Sequence, residues 1–236
     1  CCGYKGRRGH DRRMSFGLSR GKTLDAGDVG IDMRNLPSAD EGRIDPRDWF
    51  SEKSSPLEIE IGSGKGTFLL QQSELQPETN FVGFEWAAEF YRYGADRLRR
   101  NGRKRVRMVY GDATEFLKYW CEDHVAEVVH LYFSDPWPKK RHNKRRVIQD
   151  ETLRTFHQVL KPRGELRIVT DHDDLWSWCE EHINRHLDLF ERKTFDIVDS
   201  ANEGELTGTN FERKYRREGR PFHSVTLRSL PENRKN

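Results

Sequence analysis

From Leu57 to Thr170 the chain alternates short apolar, β-rich runs with segments of helical periodicity. That alternation restricts it to an α/β fold built on a mainly parallel sheet. The runs Leu57–Ile61, Phe81–Glu85, Val106–Tyr110, Val128–Phe133 and Leu166–Thr170 are predicted strands. Helices are predicted over Thr67–Leu75, Ala87–Asn101, Thr114–Asp123, Arg146–Leu160 and Leu175–Arg185. Farther on, Lys193–Val198 and Phe222–Leu227 read as extended and Thr209–Arg217 as helical, which suits a sheet finished by one antiparallel strand. A chain of 236 residues holds one such domain, with helices on both faces and some extra sequence.

The extra sequence is expected at the ends. Residues 1–46 carry eight of the nineteen glycines and little apolar periodicity, and are expected to form a flexible basic arm. The domain is expected over 47–230, with a disordered tail at 231–236. The net charge of +3 averages strongly segregated local charge. Basic clusters lie at Lys5–Lys22, Arg97–Arg107, Lys139–Arg146 and Arg213–Arg220, and acids gather at Asp171–Glu181 and Asp196–Glu205. Segregation of this kind points to a polyanionic partner. No apolar run approaches a membrane span and no signal-peptide pattern opens the chain, so a cytoplasmic location with no membrane partner is expected. Cys121 and Cys179 are expected as buried small hydrophobes, and no cysteine pair has zinc spacing, so no metal is expected.

The first predicted strand runs into Gly62-Ser63-Gly64-Lys65-Gly66 and then a helix. Glycines there permit positive φ and close approach of a ligand to the backbone. The turn is not a P-loop, because Gly66 follows Lys65 where Ser or Thr is needed, and G-x-G-x-G departs from the dinucleotide fingerprint G-x-G-x-x-G. The next two strands end in Glu85, suited to accept both hydroxyls of a ribose, and in Asp112, suited to accept from an adenine amino group. Glu60, just before the glycines, can pair with a cationic amino group or order the loop. With Asp135 these acids line one edge of the sheet, although each alone could be a helix N-cap or a loop acid. Ribose and adenine acceptors without a diphosphate fingerprint point to S-adenosylmethionine over NAD or ATP.

Ser134-Asp135-Pro136-Trp137-Pro138 leaves the fourth strand where open α/β sheets bind ligands, and its prolines exclude helix. Six Lys or Arg follow within the eight residues 139–146, with no acid among them. The segment therefore offers a carboxylate, an aromatic plane and a phosphate-binding cluster. Stacking on a base and burial under the loop are both open to Trp137.

These residues resemble the bacterial-type tRNA (guanine-N7-)-methyltransferases. The likeness spans about Leu57 to Leu227. It rests on I-G-S-G-K-G at Ile61–Gly66, V-G-F-E at Val82–Glu85 and G-D-A at Gly111–Ala113. It is strongest at D-P-W-P-K-K-R-H-N-K-R-R, Asp135–Arg146, and is completed by Thr170-Asp171 and T-N-F-E-R-K at Thr209–Lys214. Ser134 stands where that family commonly has Pro, and the Gly/Arg-rich arm is unlike its core pattern. The resemblance implies a Rossmann-like class I methyltransferase fold that methylates N7 of guanine 46 in the tRNA variable loop; monomer and homodimer are both open. It places cofactor contacts at Glu60, Gly62, Gly64, Gly66, Glu85, Asp112, Ala113 and Asp135, with Asp135 also catalytic. Asp135 would act by hydrogen bonds to the base edge, by stabilising developing positive charge, or both. Substrate contacts fall at Lys139, Asp171, Thr209, Asn210, Phe211 and Glu212, and Arg141 and Arg145 of the basic cluster are expected to hold phosphates of the substrate. The alternatives are a class I methyltransferase for another RNA base and a non-catalytic RNA-binding protein.

Overall fold

Runs of residues buried on both faces make the centre of the sheet. The computed structural model describes residues 23–231. Its strands are β1 (Gly30–Asp32), β2 (Leu57–Ile61), β3 (Asn80–Glu85), β4 (Val106–Tyr110), β5 (Ala126–Tyr132), β6 (Leu160–Thr170), β7 (Phe190–Lys193) and β8 (His223–Ser229). Its helices are α1 (Thr67–Leu75), α2 (Ala88–Arg100), α3 (Ala113–Tyr119), α4 (Asp150–Val159), α5 (Asp173–Asn184) and α6 (Asn210–Arg217). The strands form one sheet in the order β1-β4-β3-β2-β5-β6-β8-β7. Strands β1 to β6 pair in parallel, and β8 runs antiparallel between β6 and β7. This is the class I methyltransferase architecture. No helix among the described residues is long and apolar enough to cross a membrane.

Period-two alternation divides the core into two layers. Ile59, Phe84, Val109, Leu131 and Ile168 face α3, α4 and α5, where Phe116, Phe156 and Leu175 fill the space. Phe81, Met108, Tyr132 and Val169 face α1 and α2, against Phe68 and Leu98. Cys121 and Cys179 are buried thiols within the first layer, pushed up by burial, Cys179 to about 12. Strand order reverses between β2 and β5, so their following loops diverge to opposite faces and open a crevice at the carboxyl ends of the strands.

Three expectations need correction. Residues 25–49 are part of the domain. Val29 is buried, β1 extends the sheet at β4, and the Trp120 indole donates to the Pro37 carbonyl at 2.8 Å. The sequence of β1 is too short to show periodicity, and its order comes from pairing with β4. The remainder of the expected arm, 1–22, lies outside the described residues, as does the tail from 232. The helix expected from Arg146 starts at Asp150, because Gln149 donates its amide to the carbonyls of Asn143 and Arg146 and its backbone N–H to the Thr152 hydroxyl. The run Lys193–Val198 leaves the sheet after Lys193, since Phe195 and Val198 turn into the α1/α2 layer. Gln72 of α1 holds that crossing segment at Ser200, and Gln76, just past the helix, holds it at Asp199.

Gly83 marks where the sheet and the glycine turn meet most closely, because a Cβ there would collide with Leu69 Cδ1 and Ser63 Oγ. Gly83→Ala is expected to cost about 1–3 kcal/mol through overpacking. A urea titration with a lower midpoint and unchanged slope checks this; an unchanged midpoint would contradict the packing.

Candidate active site

The turn after β2 uses left-handed backbone at Gly62 (φ 79°) and Gly64 (φ 54°). A Cβ on Gly62 would meet nothing within 4 Å and one on Gly64 only Phe211 at 3.8 Å, so both glycines border open space. Gly66 differs. It begins α1 at φ 65°, and its Cβ position lies 3.2 Å from Leu98, so its place is in turn closure and helix packing. Glu85, at the end of β3, ties the turn down: Oε2 accepts from Gly64 N–H at 2.8 Å and Oε1 from Ala87 N–H at 2.7 Å. Burial pushes the Glu85 carboxyl above its usual range, the two backbone donors oppose that rise, and the Asp135 charge adds to it.

Beneath the turn lies Glu60, buried, with Oε2 lacking any hydrogen-bond partner. Burial, with a contribution from the Glu85 charge, pushes its carboxyl up to about 8. A buried carboxyl oxygen without a partner is costly, and a cationic amino group placed over the turn would satisfy it. The donor set therefore fits an amino-acid moiety, which an adenosyl-methionine cofactor carries. Of the two openings left for Glu60, pairing with a cation is the one its geometry favours, since no loop N–H reaches Oε2.

Asp112 N-caps α3, with Oδ1 accepting from Thr114 N–H (2.8 Å), Thr114 Oγ1 (2.7 Å) and Glu115 N–H (3.4 Å). Oδ2 makes none of these bonds and is the oxygen available to a ligand on this exposed carboxylate. Ala113 is buried at the start of the helix. The wall beside them was not legible in the sequence. Met33, just after β1, packs on the backbone of Gly111 so closely that a Cβ there would collide with its sulfur. Arg34 lies over the Tyr110 ring at 5.2 Å.

The exit from β5 is bent by left-handed φ at two non-glycine residues, Phe133 (53°) and Trp137 (42°). Such conformations cost about 1–3 kcal/mol each and persist where their surroundings hold them. Phe133 is held by Phe222 (ring centroids 5.7 Å apart) and Tyr215 (5.8 Å). Trp137 lies edge-on to His142 and beneath the Arg145 guanidinium at 4.8 Å. Asp135 sits exposed between these bends. Lys139, Lys140, Arg141, Lys144 and Arg145 are exposed along and beside a short 3-10 helix, Lys140–Arg145. Arg146 departs from the expected phosphate cluster. It is 4% exposed, donates to the Pro136 carbonyl at 2.9 Å and pairs with Asp174, so it braces the loop from inside.

Asp171, after β6, is paired with Arg220 at 2.6 Å. Thr209 caps α6 by accepting from Glu212 N–H, and Asn210 donates to Thr67 Oγ1 at 2.7 Å, joining α6 to the start of α1. Phe211 is exposed above Gly64. Glu212 must be corrected as a surface contact. It is fully buried, and its carboxylate accepts from the backbone N–H groups of Leu206, Thr207 and Gly208, from the Thr207 hydroxyl, and from Arg216 at 2.9 and 2.7 Å. Its work is to fold the loop that carries Thr209.

The chain matches a family model described as "Putative methyltransferase" over residues 54–225. It is 32% identical over 173 residues to the tRNA (guanine-N(7)-)-methyltransferase of Enterococcus faecalis, covering 73% of this chain and 80% of that protein. To the protein of the same description from Corynebacterium diphtheriae it is 37% identical over 155 residues, covering 64% and 58%. The chain belongs to the tRNA (guanine-N(7)-)-methyltransferase family. Its fold is also that of a 16S rRNA (adenine(1408)-N(1))-methyltransferase variant from Catenulisporales acidiphilia, solved with cosubstrate SAM, at TM-score 0.56 and 16% identity over 83% of this chain and 96% of that one. As a member of the tRNA (guanine-N(7)-)-methyltransferase family the chain carries its matched region on β2 to β8, while β1 and Met33 precede it.

Replacing Glu212 with Ala strands three backbone donors and the Arg216 charge. The expected loss is about 3 kcal/mol or more, seen as a lower thermal midpoint in the absence of any RNA. A surface contact to substrate would leave that midpoint almost unmoved.

Proposed function

We propose that this chain transfers a methyl group from S-adenosylmethionine to N7 of guanine in tRNA, at position 46 of the variable loop. The observation that carries the reading is the unpartnered Glu60 Oε2 under the open Gly62–Gly64 turn, near Glu85, whose carboxyl in turn feels the Asp135 charge. S-Adenosylmethionine, when bound, supplies a methyl group on a sulfonium already activated for displacement. Glu60 holds the amino group of its amino-acid end, and Glu85, through the outer lone pairs of a carboxylate already fixed by Gly64 and Ala87, receives the ribose hydroxyls. Asp112 and the backbone at Ala113 receive the adenine edge against the Met33 wall.

Guanine N7 carries an in-plane lone pair and no proton, so attack requires no general base. The residues act by positioning, which contributes on the order of 7–11 kcal/mol in favourable cases. Asp135 is placed to stabilise the positive charge that grows on the purine. Lys139, Arg141 and Arg145 hold phosphates near the target, and Asp171 accepts from guanine N1–H or its amino group. Variable-loop bases are engaged in tertiary pairing, so the enzyme exposes the base before transfer.

Labelled S-adenosylmethionine with two transcripts of one tRNA, guanine or adenine at position 46, tests the reading. Label is expected as 7-methylguanosine in the guanine transcript alone, reduced about 100-fold or more by Asp135→Ala. Equal label in both transcripts would move the target elsewhere.

The cofactor end has its own check. With the Glu60 carboxyl near 8, the folded protein holds a proton there at pH 7 that the ion pair with an ammonium must expel. Calorimetry in buffers of different ionisation enthalpy should record proton release on S-adenosylmethionine binding, and Glu60→Gln should abolish it. Proton uptake, or release unaltered in the variant, would contradict this role. For the RNA surface, replacing Lys139, Arg141 and Arg145 by Ala should flatten the salt dependence of tRNA affinity, by roughly 0.7–0.9 in log–log slope for each phosphate no longer neutralised.

A further inference from the structure

The rim next to Asp135 contains a stack that the reaction, as described so far, does not use. The Tyr215 ring of α6 is backed by Phe133 and by Phe211, the latter near parallel at 29° with centroids 6.1 Å apart. The Arg220 guanidinium lies over Tyr215, its carbon 4.1 Å from the ring centroid. From there Nη1 reaches Asp171 Oδ2 at 2.6 Å and Nη2 reaches Glu218 Oε2 at 2.6 Å. The Asp171 side chain is 10% exposed and that of Arg220 is 41% exposed. The acid is therefore fixed in the wall and the cation lies on the open side, able to leave without moving the wall.

A guanidinium is a planar cation with N–H groups along its edge, favoured over an aromatic face and against a carboxylate. The N1–H and amino group of guanine form a planar edge with the same paired-donor character. Adenine presents an acceptor at N1, which would face the Asp171 carboxylate unfavourably. We propose that Tyr215 and Asp171 form the seat of the target guanine, and that Arg220 fills this seat until the base displaces it. The assignment rests on the reading of the chain as a guanine methyltransferase, and adds the stacking face and the occupant to be displaced. The seat lies where transfer needs it: Phe133 stands two residues before Asp135, and Phe211 covers Gly64 of the turn. In the absence of base, Arg220 also spares Asp171 the cost of an unpaired, nearly buried charge.

The test is the affinity of the protein for a tRNA transcript with guanine at the target position, divided by that for the same transcript with an abasic site there. The abasic transcript leaves the seat to Arg220, so the ratio isolates base entry from phosphate contacts. Arg220→Ala should raise this preference about five- to tenfold, and Arg220→Lys, which keeps charge but not the planar donor edge, should raise it less. Tyr215→Phe should keep the preference and Tyr215→Leu should bring it close to one. A preference unchanged or lowered in Arg220→Ala, or kept in Tyr215→Leu, would overturn the seat. The wild type is assayed alongside for 7-methylguanosine. Product formed with a ratio indifferent to Arg220 overturns the seat alone, whereas absence of product in the guanine transcript overturns the functional reading and the seat with it.

Discussion

The Glu85 carboxylate accepts from Gly64 on one side and Ala87 on the other, and the geometry of the site depends on that bridge. It fixes a glycine turn that has no side chains of its own to hold it. It also brings a buried carboxyl close to Glu60 and Asp135: burial, aided by the Glu85 charge, raises the Glu60 carboxyl, and burial, aided by the Asp135 charge, raises that of Glu85. Like charges at one sheet edge are unfavourable for folding alone. They become useful when a cation with an adjoining sugar arrives, because the same desolvation that penalises the empty acids strengthens their hold on it.

The Glu212 carboxylate does for the far rim what Glu85 does for the turn. One buried acid collects three successive backbone donors and so shapes the loop before α6. From that loop Thr209 caps the helix, Asn210 reaches α1, and Phe211 and Tyr215 are turned toward the crevice. The rim of the site is thus organised by side chains that no substrate touches. Arg146 is the basic counterpart, withdrawn from a run of exposed cations to hold the Asp135 loop from below.

The central strands and the acids that end them were legible in the sequence because each strand is buried on both faces and each turn must leave at the same sheet edge. Chain order along β2 to β6 then dictates which acids are neighbours. What escaped was set by contacts that leave no periodic pattern. A three-residue strand such as Gly30–Asp32 shows no period, and only pairing with β4 makes it a strand. Glu212 and Arg146 look like surface charges in a polar run, and only tertiary burial reveals them as braces. Tyr215 and Arg220 lie five residues apart in a basic stretch that reads as solvated, and their stack on Asp171 appears only when β6 and the chain after α6 meet. The signal that could have found Glu212 is the capping spacing T-x-x-E at Thr209–Glu212, which marks a helix start.

The distribution of charge also explains how one crevice serves an anionic and a cationic ligand. Exposed Lys139, Lys140, Arg141, Lys144 and Arg145 form an outer band on the loop leaving β5, while Glu60 and Glu85 lie below the surface and Asp135 stands between. Phosphates brought to the rim without counter-charge would be repelled by the exposed Asp135 carboxylate. The basic band offers that counter-charge beside the acid, so long-range attraction for a polyanion outweighs the local repulsion. Cations and acid are thus parts of one device, because the exposed band and the Asp135 carboxylate share the single loop that leaves β5, and what anchors a polyanion on the band also sets its distance from the acid.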